Sequence, residues 1–279
     1  MSERVIRLGH SPDPDDAFMF YGLASGKVDV RPYRFEHILK DIQTLNEWAL
    51  EGRLEVTALS LHAYAYVTDR YALLPHGASI GDNYGPLVVA REAMPQEALR
   101  EATIAVPGRL TTAFLALRVC LGEFPFVEMP FDRILPAVAE GRVAAGLLIH
   151  EGQLTYRQHG LTCAVDLGKW WHETTGLPLP LGVNAVRRDL GEPAVRDLSR
   201  LLKASICYAL AHREEALTYA LQFGRGLDRA AADRFVGMYV NEYTLDFGAK
   251  GRRGVEVLLR MGWEDGVLPH RPAVRFAEA

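Results

Sequence analysis

Residues 102–117, ATIAVPGRLTTAFLAL, contain the pattern that decides the fold. An apolar run of strand length ends in a Pro-Gly turn, and an apolar stretch of helical length follows at once. The same succession recurs along the chain, where apolar runs of four to seven residues alternate with segments of helical period. This alternation is typical of an α/β fold, which we therefore predict.

Four of these strands end in polar or Gly/Pro-rich turns that lead directly into helices. The junctions are LGH-SPDPDD with Ser11, VTAL-SLHAYAY with Ser60 and His62, IAVP-GRLTTAF with Thr111 and Thr112, and AGLLI-HEGQLTY with His150. In open α/β sheets, ligands bind outside the carboxyl ends of strands. The helix that begins there offers free N–H groups and a positive dipole end, which suit a carboxylate or phosphate. The sequence therefore predicts a site for a small anionic metabolite.

Other segments give coarser expectations. DIQTLNEWALEGR (41–53) predicts an amphipathic helix that stops near Gly52, and Pro136 predicts a helix that is kinked or begins late. The stretch from Pro193 to Phe223 predicts one long helical tract, and Arg252 and Arg253 are expected in a Gly-rich turn. Surface positions are expected for the histidines in polar or turn-like contexts, namely His37, His76, His159, His172, His212 and His270.

Composition excludes several function classes. The net charge is −4 with 31 basic and 35 acidic residues, and no Lys/Arg-rich run indicates nucleic-acid binding. No window approaches the ~20 apolar residues of a membrane span, and the N-terminus lacks the apolar stretch of a secretory signal. We therefore expect a cytoplasmic protein without membrane insertion.

No cofactor is expected, because phosphate-loop, dinucleotide and zinc-protease motifs are missing. The cysteines are Cys120, Cys163 and Cys207, and their spacing matches no metal site, so we expect them to pack as small hydrophobes.

The candidate residues each have a structural interpretation beside the functional one. Thr111 or Thr112 can cap a helix, bind an anion, or do both. The acids of the first junction, Asp13, Asp15 and Asp16, suit a helix start better than a divalent metal. His62 either faces ligand or packs, and His150, flanked by Glu151, is either structural or tuned for proton transfer near neutral pH. The residues alone leave these alternatives open.

Several long blocks resemble the 1,4-dihydroxy-6-naphthoate synthases of the futalosine route to menaquinone, along nearly the whole chain. They are LGHSPDPDDAFMFYGL (8–23), TLNEWALEGRLEVTALSLHAYA (44–65), IAVPGRLTTAF (104–114), FDRILPAVAEGRVAAGLLIHEGQLTY (131–156), DLGKWWHETTGLPLPLG (166–182) and YVNEYTLDFG (239–248). The resemblance implies a two-lobed type II periplasmic-binding-protein fold with the ligand cleft between the lobes. It implies a larger lobe of residues 1–96 and 182–279 and a smaller lobe of residues 97–181.

The same resemblance implies a lyase that converts cyclic dehypoxanthinylfutalosine to 1,4-dihydroxy-6-naphthoate and releases the sugar-derived fragment. It assigns His150 as the base. The substrate contacts that it implies are Ala58, Leu59, Ser60, Thr111, Thr112 and Ala113.

The first block departs from the family pattern. Many members read S-P-C-P-N-D-T-F where this chain reads Ser11-Pro12-Asp13-Pro14-Asp15-Asp16-Ala17-Phe18. Ser11 is carried over as a substrate contact, and Asp13 is not.

Two alternatives compete with this function. One is the chorismate dehydratase of the same pathway and fold, although the LLIHE block around His150 favours the naphthoate synthase. The other is a non-catalytic protein that binds a small anion.

Overall fold

The computed structural model describes residues 3–277 and divides the chain into two compact units. Unit 1 contains Met1–Ile80, Gly182–Ala249 and Pro272–Ala279, and unit 2 contains Gly81–Leu181 and Lys250–Arg271. The lobe limits predicted from the sequence gave residues 81–96 and 250–271 to the larger lobe. Those limits, and the ligand cleft, stay predictions.

Eleven strands occur in the described chain. They are β1 (Arg4–His10), β2 (Tyr33–Leu39), β3 (Val56–Ser60), β4 (Tyr71–Leu73), β5 (Ser79–Gly81), β6 (Leu87–Ala90), β7 (Ile104–Val106), β8 (Phe126–Glu128), β9 (Ala145–Leu148), β10 (Thr162–Asp166) and β11 (Leu179–Arg187). One sheet has the order β2-β1-β3-β11-β4, with β5 paired to β11, and the other has the order β10-β6-β9-β7-β8. Both sheets mix parallel and antiparallel pairs, and the parallel pairs carry the junctions described above.

Thirteen α-helices occur among the same residues. They are α1 (Pro14–Ala24), α2 (Ile42–Glu51), α3 (Leu61–Tyr64), α4 (Gln96–Glu101), α5 (Thr112–Leu121), α6 (Phe131–Ala139), α7 (Gly152–Thr155), α8 (Leu167–Thr175), α9 (Glu192–Ala211), α10 (Arg213–Ala220), α11 (Arg229–Tyr239), α12 (Glu242–Leu245) and α13 (Gly248–Glu264). Within residues 3–277, none of them combines the length and apolar character that a membrane crossing requires.

Each unit buries its own apolar core. In unit 1, Leu8 and Val56 of the sheet pack with Phe20 of α1 and Leu198 of α9. In unit 2, Val89 and Ala105 of the sheet pack with Ile134 and Val138 of α6. Sheet residues covered by apolar helix faces explain why the strands read as short continuous apolar runs. The α/β prediction is confirmed.

One helix prediction was wrong in extent, and one of the two alternatives predicted for another helix is excluded. The tract from Pro193 to Phe223 breaks at His212, which leaves the helical conformation between α9 and α10. The ring Nδ1 of His212 donates to the carbonyl oxygen of Tyr208 over 3.0 Å. The helix around Pro136 does not begin late, because α6 starts at Phe131 and contains the proline.

The Arg252–Arg253 segment is also not a turn. Both arginines lie inside α13, together with Gly251 and Gly254. A Cβ atom on Gly254 would lie 2.7 Å from the carbonyl oxygen of Pro178. Glycine here allows two backbones of unit 2 to approach closely, so the Gly-rich sequence marks helix packing.

Two burial expectations also failed. His76 is buried, with Nε2 2.9 Å from the hydroxyl of Ser199, and Cys207 is exposed on α9. His76 is held by a residue 123 positions away, which its local sequence does not reveal.

Candidate functional site

Parallel strand pairing collects the predicted site residues into two clusters, one in each unit. In unit 1, Gly9 of β1 pairs with Thr57 of β3. Ser11, which follows β1, and Ser60, which ends β3, therefore lie at the same sheet edge. We call the group Ser11, Asp13, Asp15 and Ser60 the first strand-end cluster.

In unit 2, Ala105 of β7 pairs with Gly146 of β9. The α5 start and His150 therefore also follow neighbouring parallel strands. We call the group Thr111, Thr112, Ala113 and His150 the second strand-end cluster. The predicted placement of hydroxyls and a histidine at the carboxyl ends of strands is thus present within each unit.

Ser60, the last residue of β3, is buried and bonded to Asn46 at two points. The Ser60 N–H donates to Asn46 Oδ1 over 2.8 Å, and Asn46 Nδ2 donates to Ser60 Oγ over 3.0 Å. Ala58 and Leu59 precede it in β3 with buried side chains. Asn46 was missed from the sequence, although it was visible as a polar residue on the helix face of Ile42, Leu45 and Ala49.

Ser11 is buried, and its N–H donates to Asp16 Oδ2 over 2.7 Å. Its hydroxyl oxygen has no hydrogen-bond partner among residues 3–277. Asp13 caps α1 by accepting the N–H of Asp16, which confirms the helix-start interpretation of these acids. Asp13 and Asp15 are the residues of this cluster able to coordinate a cation.

Burial dominates the electrostatics of the first cluster. It raises the pKa of Asp15 well above its ordinary value, and the negative charges of Asp13 and Asp16 raise it further. Burial and the charge of Asp13 likewise raise the pKa of Asp16. The hydroxyl of Ser79 donates to Asp15 Oδ2 over 3.1 Å. Because the ionised forms are disfavoured, a protonated carboxyl can act here as a hydrogen-bond donor.

Two further histidines lie at this edge of unit 1. His10 ends β1, with Nδ1 3.2 Å from the carbonyl oxygen of Ser11 and Nε2 3.0 Å from Nδ1 of His37. Burial, followed by the neighbouring His37, lowers the pKa of His10 to about 4. His62 is buried beside the ring of Tyr66, at a centroid distance of 5.7 Å.

In the second cluster, the threonine hydroxyls bond to backbone. Thr111 caps α5 by accepting the N–H of Phe114, and it donates to the carbonyl of Gly108 over 2.8 Å. Thr112 donates to the carbonyl of Leu181 over 2.6 Å. With both hydroxyl protons engaged, the donors for an anion at this end are the first-turn N–H groups, including that of Ala113.

Arg109, the positively charged residue between β7 and α5, is paired with an acidic side chain. The backbone N–H and the side chain of Arg109 both donate to the carboxylate of Glu128, and the side-chain ion pair spans 2.6 Å. Arg109 therefore contributes little positive charge to the second cluster.

His150 lies in the turn between β9 and α7 and is half-buried. Its ring meets the edge of the Phe131 ring at a centroid distance of 4.8 Å. The backbone of His150 has φ of 55°, in the left-handed region. Such a conformation costs a non-glycine residue about 1–3 kcal/mol and is enriched at functional sites. Glu151 follows in the same turn, so the two residues are not neighbours on an extended strand.

Comparisons with known proteins identify the family. The model of a family described as "Menaquinone biosynthesis" matches residues 6–264. A Thermus thermophilus protein named 1,4-dihydroxy-6-naphtoate synthase is 48% identical over 98% of this chain and 99% of its own length. A Streptomyces coelicolor protein of the same name is 39% identical over 96% of each chain.

Solved structures agree on the fold. A crystal structure of an Archaeoglobus fulgidus protein has a TM-score of 0.91 and 48% identity, covering 95% of this chain and 98% of that one. A Candida albicans protein described as having the generic periplasmic binding protein fold has a TM-score of 0.72 at 11% identity, covering 99% and 98%. The chain therefore belongs to the menaquinone biosynthesis family, and it is an enzyme of that biosynthesis with a periplasmic-binding-protein-like α/β fold.

Proposed function

We propose that this chain is a 1,4-dihydroxy-6-naphthoate synthase, a carbon–carbon lyase. It converts cyclic dehypoxanthinylfutalosine to 1,4-dihydroxy-6-naphthoate and releases the sugar-derived fragment. The observation that carries the proposal is the pair of relatives with this name, which align at 48% and 39% identity over nearly their full lengths.

His150 is the general base of the proposed reaction. The cyclic substrate must lose a proton before or during carbon–carbon cleavage, and a neutral imidazole is suited to accept one near neutral pH. Three features support this role: the position of His150 after a parallel strand, its partial exposure, and its left-handed backbone. A position held at an energetic cost needs a compensating benefit, and catalysis supplies one.

Anion binding is the second part of the proposal. In the first cluster, the hydroxyls of Ser11 and Ser60 are donors, and the raised pKa of Asp15 favours a protonated carboxyl that can also donate. In the second cluster, the N–H groups at the start of α5 suit an anion through their partial positive charge. Ala58 and Leu59 contribute through the backbone of β3, because their side chains are buried in unit 1.

Turnover of the cyclic substrate tests the function. The purified chain is incubated with cyclic dehypoxanthinylfutalosine, and 1,4-dihydroxy-6-naphthoate is measured by chromatography with mass detection. We expect product formation that is catalytic in enzyme. A parallel incubation with chorismate tests the dehydratase alternative, and calorimetry with the naphthoate product tests binding without turnover. Conversion of chorismate alone, or binding with no conversion, would replace the proposed function with the corresponding alternative.

A further inference from the structure

Asn46 is a fully buried polar side chain on α2, and its amide serves Ser60 of the first strand-end cluster. The helix is placed by a cap from Asp41 at its start and by a left-handed Gly52 at its end. On the same face, Leu45 packs in an apolar cluster with Leu54 and Ala58, and Ala49 is buried. An amide in such surroundings is costly unless it is hydrogen-bonded, so its two bonds to Ser60 account for its presence there.

The two bonds fix which way the amide points. The Ser60 backbone N–H can only donate, so the Asn46 atom that faces it must be the carbonyl oxygen Oδ1. The NH₂ group must then face Ser60 Oγ, 3.0 Å away. This assignment follows from the donor identities and does not depend on telling oxygen from nitrogen.

The hydroxyl of Ser60 is thereby oriented. An NH₂ group donates and cannot accept, so Ser60 Oγ accepts from Asn46 and cannot give Asn46 its own proton. The Ser60 O–H is therefore directed away from the Asn46 amide and can donate to a ligand. A hydroxyl that cannot donate to Asn46 needs less reorganisation to meet an anion.

We infer that Asn46 is a positioning residue that holds the Ser60 hydroxyl as a hydrogen-bond donor to the carboxylate of the substrate and product. The inference rests on the proposed function. It names a residue that acts through Ser60 and does not itself need to touch the ligand.

Asn46→Asp isolates the direction of the hydroxyl. The carboxylate still accepts the Ser60 N–H, but its second oxygen also accepts, so the Ser60 O–H turns towards residue 46. We expect the Kd of 1,4-dihydroxy-6-naphthoate to rise about 10–100-fold, the effect of losing one hydrogen bond to a charged group. Ser60→Ala should weaken binding by a similar factor.

A double-mutant cycle separates this effect from the added negative charge. In a Ser60→Ala background the charge of Asn46→Asp remains but there is no hydroxyl to turn. Asn46→Asp should therefore weaken binding much less in that background than in the parent. The chemical step should change less than binding, so the loss in kcat/KM should come mainly from KM.

Protonation gives a second readout. A protonated Asp side chain presents one O–H donor and one carbonyl acceptor, the same pattern as the amide. Lowering the pH should therefore bring the affinity of Asn46→Asp back towards the parent value measured at the same pH. A residue that only supports folding would not produce this convergence.

The outcomes divide cleanly. If the parent converts substrate but the two changes are additive in Kd, and acid does not restore Asn46→Asp, the inference is wrong and the proposed function stands. If the parent neither converts substrate nor binds product, the proposed function is wrong and the inference falls with it. If Asn46→Asp does not fold, the same cycle is run with Asn46→Ala, which removes the amide without adding charge, and additivity there overturns the inference.

Discussion

The two strand-end clusters hold their polar groups by different means. In unit 1, side chains hold side chains: Asn46 holds the Ser60 hydroxyl, and Ser79 holds Asp15. In unit 2, backbone carbonyls hold the hydroxyls of Thr111 and Thr112. A hydrogen bond between two side chains depends on the identity and protonation state of both residues. A hydrogen bond to a backbone carbonyl depends instead on the local backbone conformation. The stability and ligand binding of unit 1 should therefore respond to pH and to single isosteric substitutions. Unit 2 should respond mainly to loss of the proposed general base, His150.

The largest effect is expected at the second cluster. His150→Ala removes the proposed general base, and general-base catalysis is typically worth about 10²–10⁴-fold. We expect kcat to fall by that factor while product affinity stays near the parent value. Single-turnover and steady-state rates with the cyclic substrate measure it.

His159→Ala is the matched control, because His159 is an exposed histidine of the same unit. It should keep kcat within about twofold of the parent. A folded His150→Ala protein that turns over within a few-fold of the parent would show that the base lies elsewhere, with His62 the next candidate to test.

Acid should destabilise unit 1 through His10. The pKa of His10 is lowered to about 4 in the fold, so the unfolded chain takes up the proton first as the pH falls. The free energy of unfolding keeps its full value above about pH 6.5 and falls as the pH is lowered towards 4. At pH 5 the loss from His10 is about 2 kcal/mol. His10→Asn can still donate to the carbonyl of Ser11 and should show a correspondingly smaller loss in urea unfolding between pH 7 and pH 5.

His76 offers an independent check, because burial lowers its pKa to about 4 as well. The double variant His10→Asn, His76→Asn should lose acid sensitivity from both residues additively. An unchanged slope of stability against pH in both single variants would contradict the buried-histidine account of unit 1.

Asp15→Asn should stabilise the protein at neutral pH. The pKa of Asp15 is raised in the fold, so the folded state holds the proton more tightly and stability declines as the pH rises above the carboxyl's ordinary range. Asparagine, the residue of the resembled family block at this position, keeps the acceptor for Ser79 and carries no charge. We expect a gain of about 0.5–2 kcal/mol in the free energy of unfolding at pH 7.

The gain should grow from pH 5 to pH 8, and the exposed Asp69→Asn in the same unit should show no comparable trend. Denaturant unfolding across this range measures both variants. A loss of stability in Asp15→Asn that is independent of pH would mean that the ionised carboxylate is needed for the fold.

Thr112 gives the smallest effect and the sharpest contrast between the units. Thr112→Val removes the hydrogen bond to the Leu181 carbonyl and should cost about 1 kcal/mol of stability. Thr112→Ser keeps the hydroxyl and should cost less. Because the anion contacts at this end come from N–H groups, the Kd of the naphthoate product should change less in Thr112→Val than in Ser60→Ala. An equal or larger rise in Kd for Thr112→Val would show that the hydroxyl itself holds the anion.

The sequence predicts the parts of this molecule that are encoded locally. Each strand–turn–helix junction has its own apolar run and its own turn residues. The strand ends could therefore be predicted from the sequence, including those with Ser11, Ser60, Thr111 and His150. The cap at Asp13 follows from the same local chemistry. The three-residue strands β4 and β5 were not predicted, whereas the equally short β7 was found through the Pro-Gly turn and apolar helix that follow it.

The missed features depend on partners distant in sequence. Residue 254 is a glycine inside a helix because the carbonyl of Pro178 leaves no room for a Cβ atom. His76 is buried and contacts Ser199. The burial of Asn46 is explained by Ser60, 14 residues away on another element. Local sequence suggests a more common role for each of these three residues. The tertiary contacts show the actual role.

Given the proposed role of His150 as general base, its left-handed backbone places stability and turnover in competition at one position. Glycine adopts φ near 55° without the penalty that a Cβ atom brings, so His150→Gly should raise the melting temperature while lowering kcat as much as His150→Ala does. Selection for longevity alone, or a design protocol that rewards only low energy, would discard the histidine. The presence of histidine would then indicate selection for catalytic rate. A screen for thermostable variants of this enzyme should be run together with an activity screen, because variants of residue 150 with low activity would otherwise be enriched.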